Sequence, residues 1–229
     1  MLKAVNLSMQ YFRRTGQANH FFAVRGANLT LYPGEVALLT GRSGSGKTTL
    51  LHMLSGLLKP TEGRVMLDDT DLYALPDADL SRLRNAKFGV IPQGRSAVDT
   101  LTVLENVLLP QQLRGEKGNV DEAVKWLAAL GIADLTNARP AELSGGELRR
   151  MAIARALAGN PDIILADEPT GDLDDENTAA VLSLLQRSAV EDGKTVLLVT
   201  HDSEALPYGT AIYRLESGTL SPGRCPDVR

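Results

Sequence analysis

Cysteine is almost absent: Cys225 is the single one in 229 residues. That excludes a disulfide framework or a cysteine-held metal site within the chain, and the scarcity fits a reducing compartment. A basic excess is also missing. Lys and Arg number 24 against 28 Asp and Glu, a formal net charge of −4, which argues against a dedicated DNA or RNA binder. The charges are mixed in sign with no long run of either, as on a solvated surface. No stretch approaches the roughly 18 apolar residues that a membrane span needs. The first residues, MLKAVNLSMQYFRR, lack a long apolar core and a small-residue cleavage site, so no signal peptide is read there. Short internal repeats and low-complexity tracts are lacking too.

What is present is an ordinary globular composition, 43% hydrophobic and 23% charged, in a chain long enough to bury a full core. The length suits one large α/β domain, or one with an insertion. The apolar runs Val36–Thr40, Ile163–Ala166 and Val196–Thr200 read as strands of a sheet covered on both faces. The first leads through a glycine loop into a helical pattern with Leu50, Leu54, Leu57 and Leu58 on one face. Phe88–Ile91 reads as a further strand. Strand and helix in alternation predict a parallel α/β core. Residues 2–9, 22–32 and 63–68 read instead as a small antiparallel sheet beside it, with the loop Arg13–His20 joining two of its strands. Thr210–Leu215 and Thr219–Leu220, on either side of Ser217-Gly218, predict a hairpin. From about 95 to 157 the pattern turns helical. Thr102 and Glu105 have the spacing of a capping box, residues 120–130 are amphipathic, and Arg114–Asn119 and Thr136–Pro140 are polar connectors. The expected organisation is a single domain over 1–229. Its β subdomain and α/β core come from about 1–92 and 158–229, and a helical subdomain is inserted at about 95–157.

Gly41-Arg-Ser-Gly-Ser-Gly-Lys47-Thr48 fills the pattern G-x-x-x-x-G-K-[ST] between a predicted strand and a predicted helix, the setting of a phosphate-binding Walker A loop. Backbone N–H groups from Gly44 to Thr48 can wrap phosphate oxygens. Lys47 can reach the β and γ phosphates, and the Thr48 hydroxyl can ligate Mg²⁺. The alternative is an incidental glycine-rich turn, and the strand–loop–helix setting weighs against it. Ile163–Ala166 runs into Asp167-Glu168-Pro169. A carboxylate ending a buried strand is costly without a partner, and Mg²⁺ is a natural one for Asp167. Glu168 can orient or deprotonate a water attacking the γ-phosphorus. Alone, this acid pair would be read as a solvated strand end.

A second glycine pair lies in Leu143-Ser-Gly-Gly-Glu147-Leu-Arg-Arg150. Ser144 and Glu147 form a capping box by spacing, and Leu148, Met151, Ile153, Ala154 and Leu157 suit a partly buried helix. A cap, however, needs no pair of glycines. Two together bare the backbone N–H groups at the positive end of a helix dipole, a place for an anion. The chain thus offers two phosphate sites far apart in sequence.

The order of Walker A, then LSGGE, then Walker B with a following Glu, then Gly171-Asp172-Leu173-Asp174, then His201 resembles the ATP-binding cassette (ABC) ATPases over nearly the whole chain. The resemblance implies a P-loop NTPase (RecA-like) core with an N-terminal antiparallel β subdomain and an inserted helical subdomain. It implies ATP and Mg²⁺ as ligands and a head-to-tail homodimer in the ATP-bound state. Each ATP then lies between the Walker A loop of one subunit and the LSGGE helix of the other, so the second phosphate site is half of a composite one. The residues implied around the phosphates are Gly41, Ser43, Gly44, Ser45, Gly46, Lys47, Thr48 and Thr49, with Ser144, Gly145 and Gly146 completing the partner's site. Gln93, after the Phe88–Ile91 strand, matches the glutamine that senses Mg²⁺ and the attacking water. Asp167 and Thr48 match metal ligands, Glu168 the base, and His201 the switch histidine that contacts the γ-phosphate. Asp174 matches an aspartate that crosses the dimer interface, and Tyr11 the aromatic that stacks on adenine.

Leu104–Pro110 and the stretch Asp71–Pro92 are similar in style to the nucleotide-binding subunits of lipoprotein-releasing and macrolide-efflux exporters. This implies a separate transmembrane permease subunit, no nucleic-acid partner, and a cytoplasmic place, peripheral on the inner face of the cell membrane. Two departures stand out. Glu147 occupies a position where Gln is commoner, and Gly94-Arg-Ser-Ala-Val-Asp99 lacks the aromatic and bulky apolar residues usual in that branch. The second surface faces the membrane partner in the family, so partner and substrate are where this chain is expected to differ.

The leading expectation is an ATPase subunit that powers a transporter, an exporter or extractor. The second is the ATPase of a membrane complex that transports nothing and passes ATP-driven motion to an extracytoplasmic or cell-division assembly. A soluble ABC ATPase acting on DNA or ribosomes is disfavoured by the acidic charge and the lack of a long coiled-coil insertion or second cassette. A nucleotide kinase would leave Gln93, Asp174 and His201 unexplained.

Overall fold

The computed structural model describes residues 1–12 and 20–223. Cys225 and the Arg13–His20 loop, apart from His20, lie outside the described residues. In chain order the elements are β1 (Leu2–Phe12), β2 (His20–Leu31), β3 (Val36–Thr40), α1 (Lys47–Leu54), β4 (Glu62–Leu67), β5 (Thr70–Asp71), α2 (Asp77–Lys87) and β6 (Phe88–Ile91). There follow α3 (Val103–Leu113), α4 (Val120–Ala129), α5 (Gly145–Ala158), β7 (Ile163–Asp167), α6 (Asp175–Val190), β8 (Thr195–Val199), β9 (Ala211–Glu216) and β10 (Thr219–Pro222).

Two sheets form, one of order β2-β1-β4-β5 and one of order β10-β9-β3-β8-β7-β6. The first is antiparallel throughout. In the second, β9, β3, β8, β7 and β6 run parallel, and only β10 pairs antiparallel. The predicted hairpin is therefore also a sheet extension, with β9 laid beside β3. Period-two alternation gives the parallel sheet two apolar faces. Ala37, Leu39, Ile163, Leu165, Leu197 and Val199 face one cluster, shared with α1 and the antiparallel sheet. Val36, Leu38, Ile164, Ala166, Val196 and Leu198 face the other, shared with α3, α4, α5 and α6.

Local chemistry starts the helices. Thr102 and Glu105 exchange the predicted pair of bonds at the head of α3, at 3.2 and 2.8 Å, and Asn119 caps α4 by accepting from Glu122 N. Asn106 is fully buried. It accepts from Val98 N and donates to the carbonyls of Val98, Leu101 and Thr102, which shapes the turn before α3.

One expectation needs correction. Leu57 and Leu58 do not lie on the helix that follows the glycine loop. That helix stops at Leu54, the Ser55 N–H closes on Leu51 O, and Gly56 takes φ 73°. A residue in this left-handed conformation ends a helix by its backbone, and Leu57 is left 52% exposed. Helices α2 and α6 add to the predicted elements. Among the described residues no helix is long and apolar enough to cross a membrane.

Candidate nucleotide site

Because β3, β6, β7 and β8 run parallel, their C-terminal ends share one edge, the place where ligands sit in open α/β sheets. β3 ends at Thr40 and delivers the Gly41–Gly46 loop. β6 delivers Gln93, β7 ends on Asp167, and β8 delivers His201. A cleft of about 280 Å³ is lined there by the loop residues Ser43, Gly44, Gly46, Lys47, Thr48 and Thr49, by Gln93, Asp167 and Glu168, and by Tyr11, Phe21 and Ala23.

The loop needs its glycines. Gly46 has φ 105° and Gly41 φ 152°. A Cβ at Gly46 would collide with the Ala23 backbone oxygen, and one at Gly41 with that of Leu215. The turn of the β9–β10 hairpin braces the loop from outside, with Gly218 N donating to Ser45 O at 3.2 Å. Gly46 caps α1 with no side-chain bond to the helix end, so that positive end is left to a ligand. Lys47 is only 7% exposed, its ammonium turned across the loop onto the carbonyls of Gly41 and Arg42 at 2.9 and 3.0 Å. Ser45 Oγ is buried without a partner. An orphaned hydroxyl, a bare helix terminus and a lysine on backbone carbonyls together fit a polyphosphate.

The acids are arranged for two tasks. Asp167 is 1% exposed and accepts from Thr48 Oγ1 at 2.6 Å. Burial pushes its carboxyl above the ordinary range, and the neighbouring Glu168 adds to that. The Thr48 bond, His52 and Lys47 oppose it. A hydroxyl and one buried carboxylate beside a phosphate cradle are oxygen donors suited to Mg²⁺, so the residues present fit that ion. Glu168 takes φ 49°, uncommon for a non-glycine residue and typical of strain at working sites. Its carboxylate is held by two neighbours. It accepts from Gln93 Nε2 at 2.9 Å through Oε2, and Oε1 lies 3.0 Å from His201 Nδ1. Residues from the ends of β6, β7 and β8 thus meet on one carboxylate.

The LSGGE segment lies elsewhere. Ser144, Gly145, Gly146 and Asp174 do not line this cleft. Ser144 heads α5 in a complete capping box. Its N–H and Oγ both donate to Glu147 Oε2, at 2.7 and 2.8 Å, and its Oγ accepts from Glu147 N at 3.3 Å. The backbone and hydroxyl of Ser144 hold the Glu147 carboxyl below the usual carboxylate range. Gly146 sits against the Gly171–Leu173 turn, where an added Cβ would lie 3.3 Å from Asp172 O. Asp174 caps α6, accepting from the backbone and side chain of Asn177 at 2.8 Å. Sequence reasoning missed three residues. Phe21 pairs with Tyr11 across β1 and β2, ring centroids 5.8 Å apart, which strand register could have suggested. Arg149 and Arg155, on α5, reach the backbone at Pro92 and Ser96 on either side of Gln93. In a run of mixed charge nothing marks them as inward-facing.

A family model described as ABC transporter matches residues 24–171. The uncharacterised ABC transporter ATP-binding protein MJ0796 of Methanocaldococcus jannaschii is 40% identical over 226 residues, covering 96% of this chain and 95% of its own. The ABC transporter ATP-binding protein YtrE of Bacillus subtilis is 39% identical, covering 94% of each. The macrolide export ATP-binding/permease protein MacB of Syntrophobacter fumaroxidans is 37% identical over 87% of this chain, which spans 28% of MacB. Two dimeric structures of the MJ0796 cassette, one of them a post-hydrolysis state bound to ADP and Pi, superpose with a TM-score of 0.90 at 37% identity over 98% of this chain and 99% of theirs. The chain belongs to the ABC transporter family, as one of its ATP-binding, ATP-hydrolysing cassettes.

Proposed function

We propose that this protein hydrolyses ATP as a head-to-tail homodimer and powers a separate membrane-spanning permease, an exporter or a lipoprotein or peptide extractor. One observation carries the dimer reading: the chain has one cleft for the nucleotide, and a second glycine-containing helix end, closed by its own Ser144 and Glu147, that lies outside that cleft. Two chains facing each other would bring each Ser144 and Gly146 to the other's γ-phosphate, with Asp174 at the seam. The dimeric MJ0796 structures support that arrangement.

Within the site the roles follow from position. Tyr11, with Phe21 beside it, offers an aromatic wall for the base. The N–H groups from Gly44 to Thr48 hold the phosphates, and Lys47 leaves the Gly41 and Arg42 carbonyls for β and γ oxygens. Thr48 and Asp167, with Gln93, would hold Mg²⁺, which supplies charge neutralisation of the phosphate oxygens. Glu168 holds a water in line with the γ-phosphorus and takes its proton. The new P–O bond forms as the bond to the β,γ-bridging oxygen breaks, and ADP leaves with that electron pair. His201 and Gln93 fix the two Glu168 oxygens and so orient the base. Loss of the shared γ-phosphate removes the electrostatic reason for closure, and the dimer opens.

The membrane partner has a candidate seat. A groove of about 790 Å³ beside the start of β6 is lined by Leu57, Arg82, Arg84, Phe88, Val90 and Leu113, among others, and Leu57 and Leu113 are 52% and 71% exposed. Apolar side chains open to water beside the strand that delivers Gln93 suit a partner that senses the nucleotide. The relationship to MacB, a macrolide export protein, favours export. On this reading the chain is cytoplasmic and peripheral on the inner face of the membrane.

Glu168→Gln tests the proposal. It should bind ATP, lose at least about a hundredfold in turnover, and accumulate as an ATP-bound dimer in gel filtration. Recovered with Mg-ATP from detergent-solubilised host membranes, it should carry a polytopic membrane protein. Normal turnover in this variant would remove Glu168 as the base, and recovery of ribosomal or DNA-bound proteins instead would remove the transporter reading.

A further inference from the structure

Arg149 is as buried as Lys47, 7% exposed, yet among the described residues no carboxylate lies within ion-pair distance of it. Its Nη1 donates to the Pro92 carbonyl at 2.6 Å, and Nη2 lies over Gly171, 3.7 Å from where a Cβ would stand. Burial pushes the guanidinium below its ordinary pKa, and the charges of Asp172, Asp167 and Glu168 oppose that without cancelling it. Three segments therefore meet on this one side chain: the helix that begins at Ser144, the loop that carries Gln93, and the turn that follows Glu168. Further along α5, Arg155 grips the same loop at its other end, donating to Ser96 O at 2.7 Å and to Ser96 Oγ at 2.6 Å.

We propose that Arg149 is a positioning residue for hydrolysis, which sets Gln93 on Glu168 by fixing the Pro92 carbonyl. This rests on the roles given above to Gln93 and Glu168. The physical argument is one of lever arms. Pro92 is the residue before Gln93, so a shift in its carbonyl moves the Gln93 amide, whose bond to Glu168 Oε2 is 2.9 Å long. A guanidinium is planar and rigid, and it fixes an acceptor in direction as well as distance. With Arg155 as the second clamp, the loop from Pro92 to Ser96 moves with α5. Any displacement of the Ser144 end of that helix, as when a partner's nucleotide engages it, then reaches the water-orienting groups of its own chain. Arg149 does not touch the reacting atoms.

The test compares Arg149→Met, which keeps length but has no donor, with Arg149→Lys, which can still reach a carbonyl. In the full chain, Arg149→Met should lower kcat about 10- to 100-fold and leave KM for ATP within about twofold. Arg149→Lys should recover most of that loss, with both variants melting at similar temperatures. Retention of kcat within twofold in Arg149→Met would overturn the proposal. So would a joint fall of kcat, ATP affinity and melting temperature that lysine fails to rescue, because that is the mark of a merely structural arginine. The same substitution in the Glu168→Gln background separates the two readings. ATP-driven dimers there show that positioning of the base, not closure, was lost. If Glu168→Gln alone forms no dimer, the dimer reading fails, while the kcat comparison on unaltered Glu168 still decides Arg149.

Discussion

Two helices of this protein begin at glycines, and only one of them closes its own end. At α1, Gly46 stands in the left-handed conformation with no side-chain cap, and the flanking backbone leaves no room for even a methyl group. At α5, Ser144 and Glu147 bind one another in a complete capping box; Gly145 has ordinary space, and a Cβ at Gly146 would be tight, 3.3 Å from Asp172 O, without the collision met at Gly46. The first end is built for a ligand and is unfinished without one. The second is self-sufficient in the single chain and can exchange its internal bonds for a phosphate carried by another. A permanent cradle and a conditional one have different sequence requirements, although both read as glycine, serine and a helix.

The comparison breaks most sharply at its glycines. Gly46→Ala combines a left-handed φ with a collision against Ala23 O. It should cost about 4 kcal/mol or more and abolish ATP binding by calorimetry. Gly146→Ala should change stability by no more than about 1 kcal/mol, since the strain near Asp172 O is offset by better helix propensity. Its ATP affinity as a monomer should stand, while ATP-driven dimerisation weakens at least about tenfold. Equal losses in both variants, by melting temperature and gel filtration, would erase the distinction between the two cradles.

The same contrast explains what could be read in advance. The Gly41–Thr48 loop was legible because its chemistry is local: φ values, bare N–H groups and a lysine lie within one turn of chain. Asp167 and Glu168 were legible because a carboxylate on an apolar strand is costly wherever the strand goes. Leu57 and Leu58 misled because the apolar period continues after Gly56 has ended the helix, and periodicity does not register a single left-handed residue. Helix α6 carries its own signal in the cap that Asp174 makes to Asn177, but Asp174 also matches the aspartate of a dimer seam, and a single acid does not tell the two apart. Arg149 and Arg155 were beyond reach. Whether an arginine on a helix snorkels to water or reaches a carbonyl depends on which loop lies above it, and only the packing of α5 beneath the Gln93 loop decides that.

A smaller effect separates the cap from the phosphate role of Ser144. Ser144→Ala removes the hydroxyl from the capping box and should cost about 1 kcal/mol, read as a modest fall in melting temperature. If Ser144 were only a cap, Ser144→Asp, made together with Glu147→Gln so that two carboxylates do not meet in the box, would restore both stability and turnover, since Asp caps helices as well as Ser. On the two-role reading this double variant restores the melting temperature and not the turnover, because a carboxylate facing a γ-phosphate repels it. Turnover regained by the double variant would leave α5 with a cap and no partner site.

The finest distinction concerns Glu147, the acid that stands where the family more often has Gln. The N–H and hydroxyl of Ser144 hold its carboxyl below the usual range. A folded-state pKa below the unfolded one contributes stability that is present above the unfolded pKa and lost as pH falls through the folded pKa. The wild type should therefore melt above Glu147→Gln near neutral pH, with the gap closing as pH falls through and below the ordinary glutamate range. Gln can also complete a capping box, so the gap measures the charge on the box and not the box itself. That charge also draws the Ser144 hydroxyl toward its own helix, in competition with a partner's phosphate. Glu147→Gln should accordingly form the ATP-bound dimer at lower ATP concentration in the Glu168→Gln background. A gap that persists at low pH, or a dimer no easier to form, would mean that Glu147 caps α5 without restraining the serine.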